Sequence, residues 1–220
     1  MLSSVDHQRL AAAVAAAEAK TSGEIMCVVA DAVSDYRDVP IGWAAAAALL
    51  VPPLLMAAGL PLESAAAMAM RWTAGSALIG WLAAYVATQA AVFALVRWVA
   101  GLPSVRRVLT GRTAVRARVR RAAHAHFVGA LTLVKPGQPA VLIFVSESDR
   151  QLEILANPII DAAVRPGAWA TVADRAVQTV RDQGLAEGLV LAIAICGAEL
   201  QGAFPDDGAV NALPDHVAEI

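Results

Sequence analysis

Charge is scarce in this chain. Of its 220 residues, 16% are Asp, Glu, Lys or Arg, against about 25% in an ordinary soluble domain. Disorder needs high charge and few apolar residues, so a disordered chain is excluded. Cysteine is scarcer still. The two present, Cys27 and Cys196, are too few for a disulfide scaffold. Both lie in apolar runs and read as buried small hydrophobes. The sequence holds no internal repeat and no low-complexity linker. It has no P-loop, no G-x-S-x-G and no H-E-x-x-H, so the common phosphate-cradle, serine-hydrolase and zinc-protease signatures are absent. What is abundant is apolar. Hydrophobic residues make up 58% of the chain, above the usual ~45–50%. A purely soluble protein is not expected from that.

Two uncharged intervals account for much of the excess. Between Asp38 and Glu63 lie the 24 residues VPIGWAAAAALLVPPLLMAAGLPL. Between Arg71 and Arg97 lie the 25 residues WTAGSALIGWLAAYVATQAAVFALV. A helix needs about 20 apolar residues to cross about 30 Å of hydrocarbon. The alternative is a pair of buried core helices, but those are usually shorter and carry a polar edge. The intervals therefore predict a membrane hairpin with spans about 40–60 and 72–98. Trp43, Trp72 and Trp98 stand where indoles favour the interface. Pro52 and Pro53 predict a kink in the first span. Gly75, Ser76 and Gly80 would let the helices approach closely. Neither interval holds an Asp, Glu, His, Lys or Arg, so a proton or ion pathway has no obvious carrier there.

Arginine sets the orientation. The connector ESAAAMAMR has one, whereas the stretch from Arg97 to Arg121 has eight and no acid. The positive-inside rule then places both termini in the cytoplasm and the connector outside. Residues 1–38 are too polar and too long for the n-region of a signal peptide. The expected setting is a bacterial inner (cell) membrane, multi-pass, with reduced cysteines.

The segments 1–38 and 104–220 flank the hairpin segment 39–103. Together they are long enough for one domain. Residues 3–20 predict a helix capped by Ser3 or Ser4, with Asp6 in its first turn and a stripe of Leu2, Val5, Leu10, Val14 and Ala17. Residues 24–31 predict a strand apolar on both faces. An Arg-rich helix follows over about 104–126. Arg112, Arg116 and Arg120 share one face, with Val108, Val115, Val119, Ala122 and Ala123 nearer the other. VLIFVS (141–146) and QLEILA (151–156) predict two strands joined as a hairpin. Residues 158–163 read as a short turn or helix. Pro166-Gly167 opens a helix that turns Trp169, Val172, Ala173, Ala176, Val177 and Val180 inward and ends near Gln183-Gly184. Residues 186–202 predict a last helix with Leu189, Ile193, Cys196 and Leu200 on one stripe, although LVLAIAI within it also suits a strand. The fold class is α/β: a small α/β/α sandwich with a mixed sheet and helices on both faces.

These segments, taken in order, resemble a known family. VLIFVSESDRQLEILANPII, then Trp169, then GLAEGLVLAIAICGAELQGAFPDDGAVNALPD resemble the TPM domain family. That family includes thylakoid-lumen phosphatase and photosystem II repair proteins and an animal acetylcholine-receptor modulator. TSGEIMCVVADAVSDYRDVP resembles its first strand. The Arg-rich helix with His126-Phe127 resembles the segment before its second. The likeness covers 1–38 and 104–220 and is closest to a bacterial branch with a transmembrane hairpin after the first strand. It implies a TPM-like sandwich, an acidic site holding a divalent cation such as calcium in some members, and the acid phosphatase activity of a plant member. The family pattern ends FP…D-D…N-E-L-P-D. Here the acid before leucine is replaced by Ala212, so that position offers no carboxylate.

Asp206, Asp207, Asn211 and Asp215 form the one dense oxygen-ligand cluster, and Asp31 stands beyond the carboxyl end of the first strand. Carboxylates and amides are what hard cations take, and strand carboxyl ends are where α/β sheets hold ligands. The alternative is a polar loop whose Asp and Asn cap turns. Glu24 flanks the same strand. Arg150 suits phosphate through bidentate contacts, or is a solvated turn residue. His124 and His126 are two apart, so on a helix they point to different sides, and they read as surface or packing residues. His7 and His216 are isolated. Arg106 to Arg121 form a topology signal that also suits anionic lipid head groups. The run lacks the aromatic interleaving of a nucleic-acid surface, so no nucleic acid is expected. The functional expectation is a membrane protein that regulates, assembles or repairs a membrane protein partner. The alternative is a divalent-cation-assisted phosphatase near the bilayer.

Overall fold

The apolar runs read as strands do form strands, in a computed structural model that describes residues 2–33, 36, 38–58, 77–165, 167–206, 208 and 217–220. Along the chain the elements are α1 (Ser4–Glu18), β1 (Glu24–Ala30), α2 (Asp38–Ala57), α3 (Ala77–Gly101), α4 (Pro103–Leu109), α5 (Arg112–Leu131), β2 (Ala140–Ser146), β3 (Gln151–Ala156), α6 (Pro158–Ala163), α7 (Ala168–Gln183), α8 (Leu185–Ala203) and β4 (Ala218–Glu219). They fall into two units. One is Met1–Ser34 with Thr113–Ile220; the other, Asp35–Arg112, lies between those pieces in the chain.

The first unit is mixed α/β. Its sheet has the order β3-β2-β1-β4. β1 runs parallel to β2, with Glu24 opposite Ala140 and Ala30 opposite Ser146. β3 is antiparallel to β2, and β4 pairs parallel to β1 through Val28–Ala218 and Val29–Glu219. Side chains alternate across a strand. Along β2, Val141, Ile143 and Val145 enter one core, with Leu10 and Val14 of α1, Val172 and Ala176 of α7, and Leu189, Ile193, Cys196 and Leu200 of α8. Leu142 and Phe144 enter the other, under Val119, Ala123 and Phe127 of α5. Helices on both faces explain why β1 and β2 lack a polar face.

Local signals set several boundaries. Ser3 caps α1 in a capping box with Asp6, satisfying donors that a helix start leaves unpaired. The Ser3 hydroxyl and backbone N–H hold the Asp6 carboxyl below the usual carboxylate range. Gly184, at φ 103°, lets α7 stop and α8 start at once. LVLAIAI is helical.

Three expectations differ. The Arg-rich stretch is two helices, because the chain breaks at Thr110-Gly111 between α4 and α5. Val108, placed on the apolar side, is 82% exposed, since it belongs to α4 and is out of phase with the α5 stripe. Val5, placed on the α1 stripe, is likewise exposed. β4 leaves no mark in the sequence, because its two residues carry no periodicity.

In the second unit α2 packs on α3. The inward positions of α2 are Pro40, Ala44, Ala48 and Pro52, one residue every four. Opposite, Gly80 and Ala84 are buried. The large side chains point away: Trp43, Leu49, Leu50, Leu54, Leu78 and Trp98 are all exposed. Two polar side chains of α3 donate within the helix. Thr88 Oγ1 donates to the Ala84 carbonyl at 2.8 Å, and Gln89 donates to the Tyr85 hydroxyl at 3.4 Å. Asp38–Ala57 and Leu78–Gly101 are long and apolar enough to cross a membrane, and so is Leu185–Ala203. The last differs from the other two, because its Leu189, Ile193, Cys196 and Leu200 lie in the sheet core. Trp72, Gly75, Ser76 and the connector lie outside the described residues.

Candidate functional site at the carboxyl end of the parallel strands

β1 and β2 end side by side at Ala30 and Ser146. The β2–β3 turn folds back over that end. Glu147 N–H donates to the Ala30 carbonyl at 2.9 Å, and Ser148 N–H to the Asp31 carbonyl at 2.8 Å. Ser148 Oγ donates to Asp31 Oδ1 at 3.2 Å. Ser146, fully buried, donates its hydroxyl to Asp149 Oδ2 at 2.7 Å. Arg150 N–H closes the turn on the Glu147 carbonyl at 3.1 Å. Arg150 itself has φ 53°, the left-handed region that a side chain with a Cβ enters at a cost.

Beside this turn is a cavity of ≈ 500 Å³, within the range of small-molecule pockets. Val145, Leu152, Val177, Val180 and Leu185 supply its apolar wall; Ser146, Glu147, Arg150, Gln151 and Arg181 supply its polar groups. β2 and β3 form one side, and α7 with the first residue of α8 forms the other. Of the sequence-stated candidates, Arg150 reaches this cavity. Arg181 and Ser146 were not singled out. The signal for them was the sheet rule itself: ligands collect where parallel strands end.

The acidic candidates separate. Asp31 is exposed at the carboxyl end of β1. Asp206 follows Pro205, which bridges Thr21 ahead of the amino end of β1. Seven residues of strand put about 20 Å between those ends, so Asp31 and Asp206 do not share one ion. Asp206 Oδ1 accepts from Gly208 N–H at 2.9 Å, the turn-capping role of an Asx residue. Asp207, Asn211, Ala212 and Asp215 lie outside the described residues. Among the described residues no three His, Cys, Asp or Glu side chains converge as a metal site.

Other polar residues hold the fold together. Glu24, 3% exposed, accepts from Gln138 Nε2 at 2.8 Å, and Asn157 Nδ2 donates to the Gln138 carbonyl at 2.8 Å. This cluster sits at the amino end of β1, away from the cavity. Arg116 Nε donates to Glu153 Oε1 at 3.1 Å, so one arginine of the basic run ties α5 to β3. His126 stacks on Phe144 with ring centroids 5.7 Å apart, and His7 lies 3.5 Å from Glu219. His216 lies outside the described residues. Both cysteines are buried and free.

No family model matches the chain, and no curated protein does. In fold the chain is similar to the NMR structure of the BA42 protein from the psychrophilic bacterium Bizionia argentinensis. The TM-score is 0.57 at 15% identity, over 100% of this chain and 96% of that one. At that identity the likeness concerns the fold alone.

Proposed function

We propose that this is an integral protein of the bacterial inner membrane, with both termini cytoplasmic, whose TPM-like domain regulates, assembles or repairs a membrane protein partner. One observation carries the reading: α2 and α3 are packed inside out. Small residues meet in the middle while Trp, Leu and Ile face outward. Water penalises that arrangement and hydrocarbon favours it. Internal hydrogen bonds of Thr88 and Gln89 suit a medium without water. The hairpin interrupts the domain, so two chain connections join the domain to the bilayer. Arginines between Arg106 and Arg121 suit anionic head groups, each worth about 1 kcal/mol near the surface.

The test is exchange of Asp38–Gly101 for an unrelated two-span hairpin. The wild-type chain should resist alkaline carbonate extraction and copurify with a membrane protein. The exchanged chain should stay in the membrane and lose the partner. Extraction of the wild-type chain by carbonate would end the membrane reading. An unchanged partner after exchange would assign recognition to the α/β unit alone.

A second reading, the divalent-cation-assisted phosphatase, is favoured by Asp31, an exposed carboxylate at the strand carboxyl ends that accepts from the Ser148 hydroxyl. It expects a saturable calcium-dependent rise in melting temperature that Asp31→Ala abolishes. No shift at millimolar calcium would dismiss it.

A further inference from the structure

We propose that the cavity beside Arg150 and Arg181 binds a small organic anion, a carboxylate or phosphate group carried on a compact apolar body. The inference does not depend on the membrane reading. Its basis is the division of the lining. Val145, Leu152, Val177, Val180 and Leu185 would cover an apolar body, and Arg150 and Arg181 would meet a charged group. Planar guanidinium matches carboxylate and phosphate through paired N–H donors. Neither guanidinium has a partner among the described residues, whereas Arg9 and Arg116 each hold a carboxylate. Glu147 is the acidic member of the lining and has an interaction of its own. Two guanidiniums against one carboxylate leave the lining positive.

One feature of the backbone agrees. Arg150 occupies a left-handed turn position that Asn or Gly would fill with less strain. The arginine there is not explained by turn chemistry. A charged ligand for its side chain explains it. The apolar wall argues against inorganic phosphate as the natural occupant, since a bare ion would leave that wall unused.

The experiment is calorimetric titration of the full-length protein, in neutral detergent, with phenyl phosphate and with hexanoate. Inorganic phosphate and hexanol serve as half-ligands, each lacking one end. Both organic anions should bind saturably, and each half-ligand at least tenfold more weakly. Arg150→Asn and Arg181→Gln should each weaken the organic anions at least tenfold. Arg150→Asn should melt no lower than the parent, because Asn tolerates the left-handed turn; this separates loss of binding from loss of fold. Phosphatidic acid added to the micelles identifies the source. Competition with phenyl phosphate supports the site with a lipid head group as occupant. Its absence, with binding intact, supports the site with a soluble anion. Three results would overturn the proposal: no saturable binding of either organic anion, binding unchanged in the Arg150→Asn/Arg181→Gln double variant, or inorganic phosphate binding as tightly as phenyl phosphate.

Discussion

Burial pushes the Cys27 thiol up from 9.0 to about 12. Above pH 9 the unfolded chain gives up this proton while the native chain keeps it. The contribution is therefore intact below about pH 9 and is lost as pH rises toward 12, at about 1.4 kcal/mol per pH unit. Melting temperature should fall over that window, and Cys27→Ala should make the fall shallower by one proton's worth. An unchanged slope would mean the thiol is already open to solvent. The Arg116–Glu153 pair makes an asymmetric prediction. Glu153's side chain is 9% exposed and Arg116's 65%. Arg116→Ala leaves a buried carboxylate without that partner and should cost about 1–3 kcal/mol. Glu153→Leu places an apolar side chain against the α5 core and should cost less. Denaturant midpoints of the two variants compare them directly. The buried state of Cys27 was legible, because apolar neighbours on both sides leave a thiol nowhere else to go. The role of Arg116 was not. Helical spacing put it on a polar face, and its partner lies 37 residues on in another element.

At the scale of elements, α8 decides most of the packing. It is apolar enough to span a bilayer, yet it meets both α1 and α7. Two glycines allow this. A Cβ on Gly197 would come within 2.7 Å of Ala17 Cβ, and one on Gly188 within 2.9 Å of the Ala176 carbonyl oxygen. Gly188→Ala meets backbone that cannot swing aside, so it should cost about 1–3 kcal/mol, read as a lower denaturant midpoint. An unchanged midpoint would mean that α7 and α8 have slack between them. The stripe Leu189, Ile193, Cys196 and Leu200 was readable at helical period, and all four are fully buried. The close approaches were not readable, since one sequence shows a glycine but not what passes over it. The α4–α5 break was missed for a related reason. A single Gly111 inside a helical pattern does not by itself end it, and only the packing of α5 on the sheet marks the break. β4 has two residues, too few for a period.

For the whole molecule, the central matter is a chain whose α/β unit is interrupted by a pair of inside-out helices. That interruption was the most legible feature of all, because two uncharged runs of such length have few other uses. The sheet and its two helical layers were legible too, from strands lacking a polar face. The site was less so. Arg150 was found by its chemistry, but Arg181 joins it only through the fold, and Asp31 and Asp206 part company because a strand lies between them. The account rests on the hairpin crossing the bilayer with the α/β unit on the cytoplasmic side. Cys27 and Cys196 are buried, so single introduced cysteines report cleanly. The decisive measurement is labelling of intact cells with a membrane-impermeant maleimide, comparing Ser64→Cys with Arg112→Cys. The account predicts that Ser64→Cys is labelled from outside, while Arg112→Cys is labelled only after the membrane is opened. Labelling of Arg112→Cys from outside, with Ser64→Cys shielded, would contradict it.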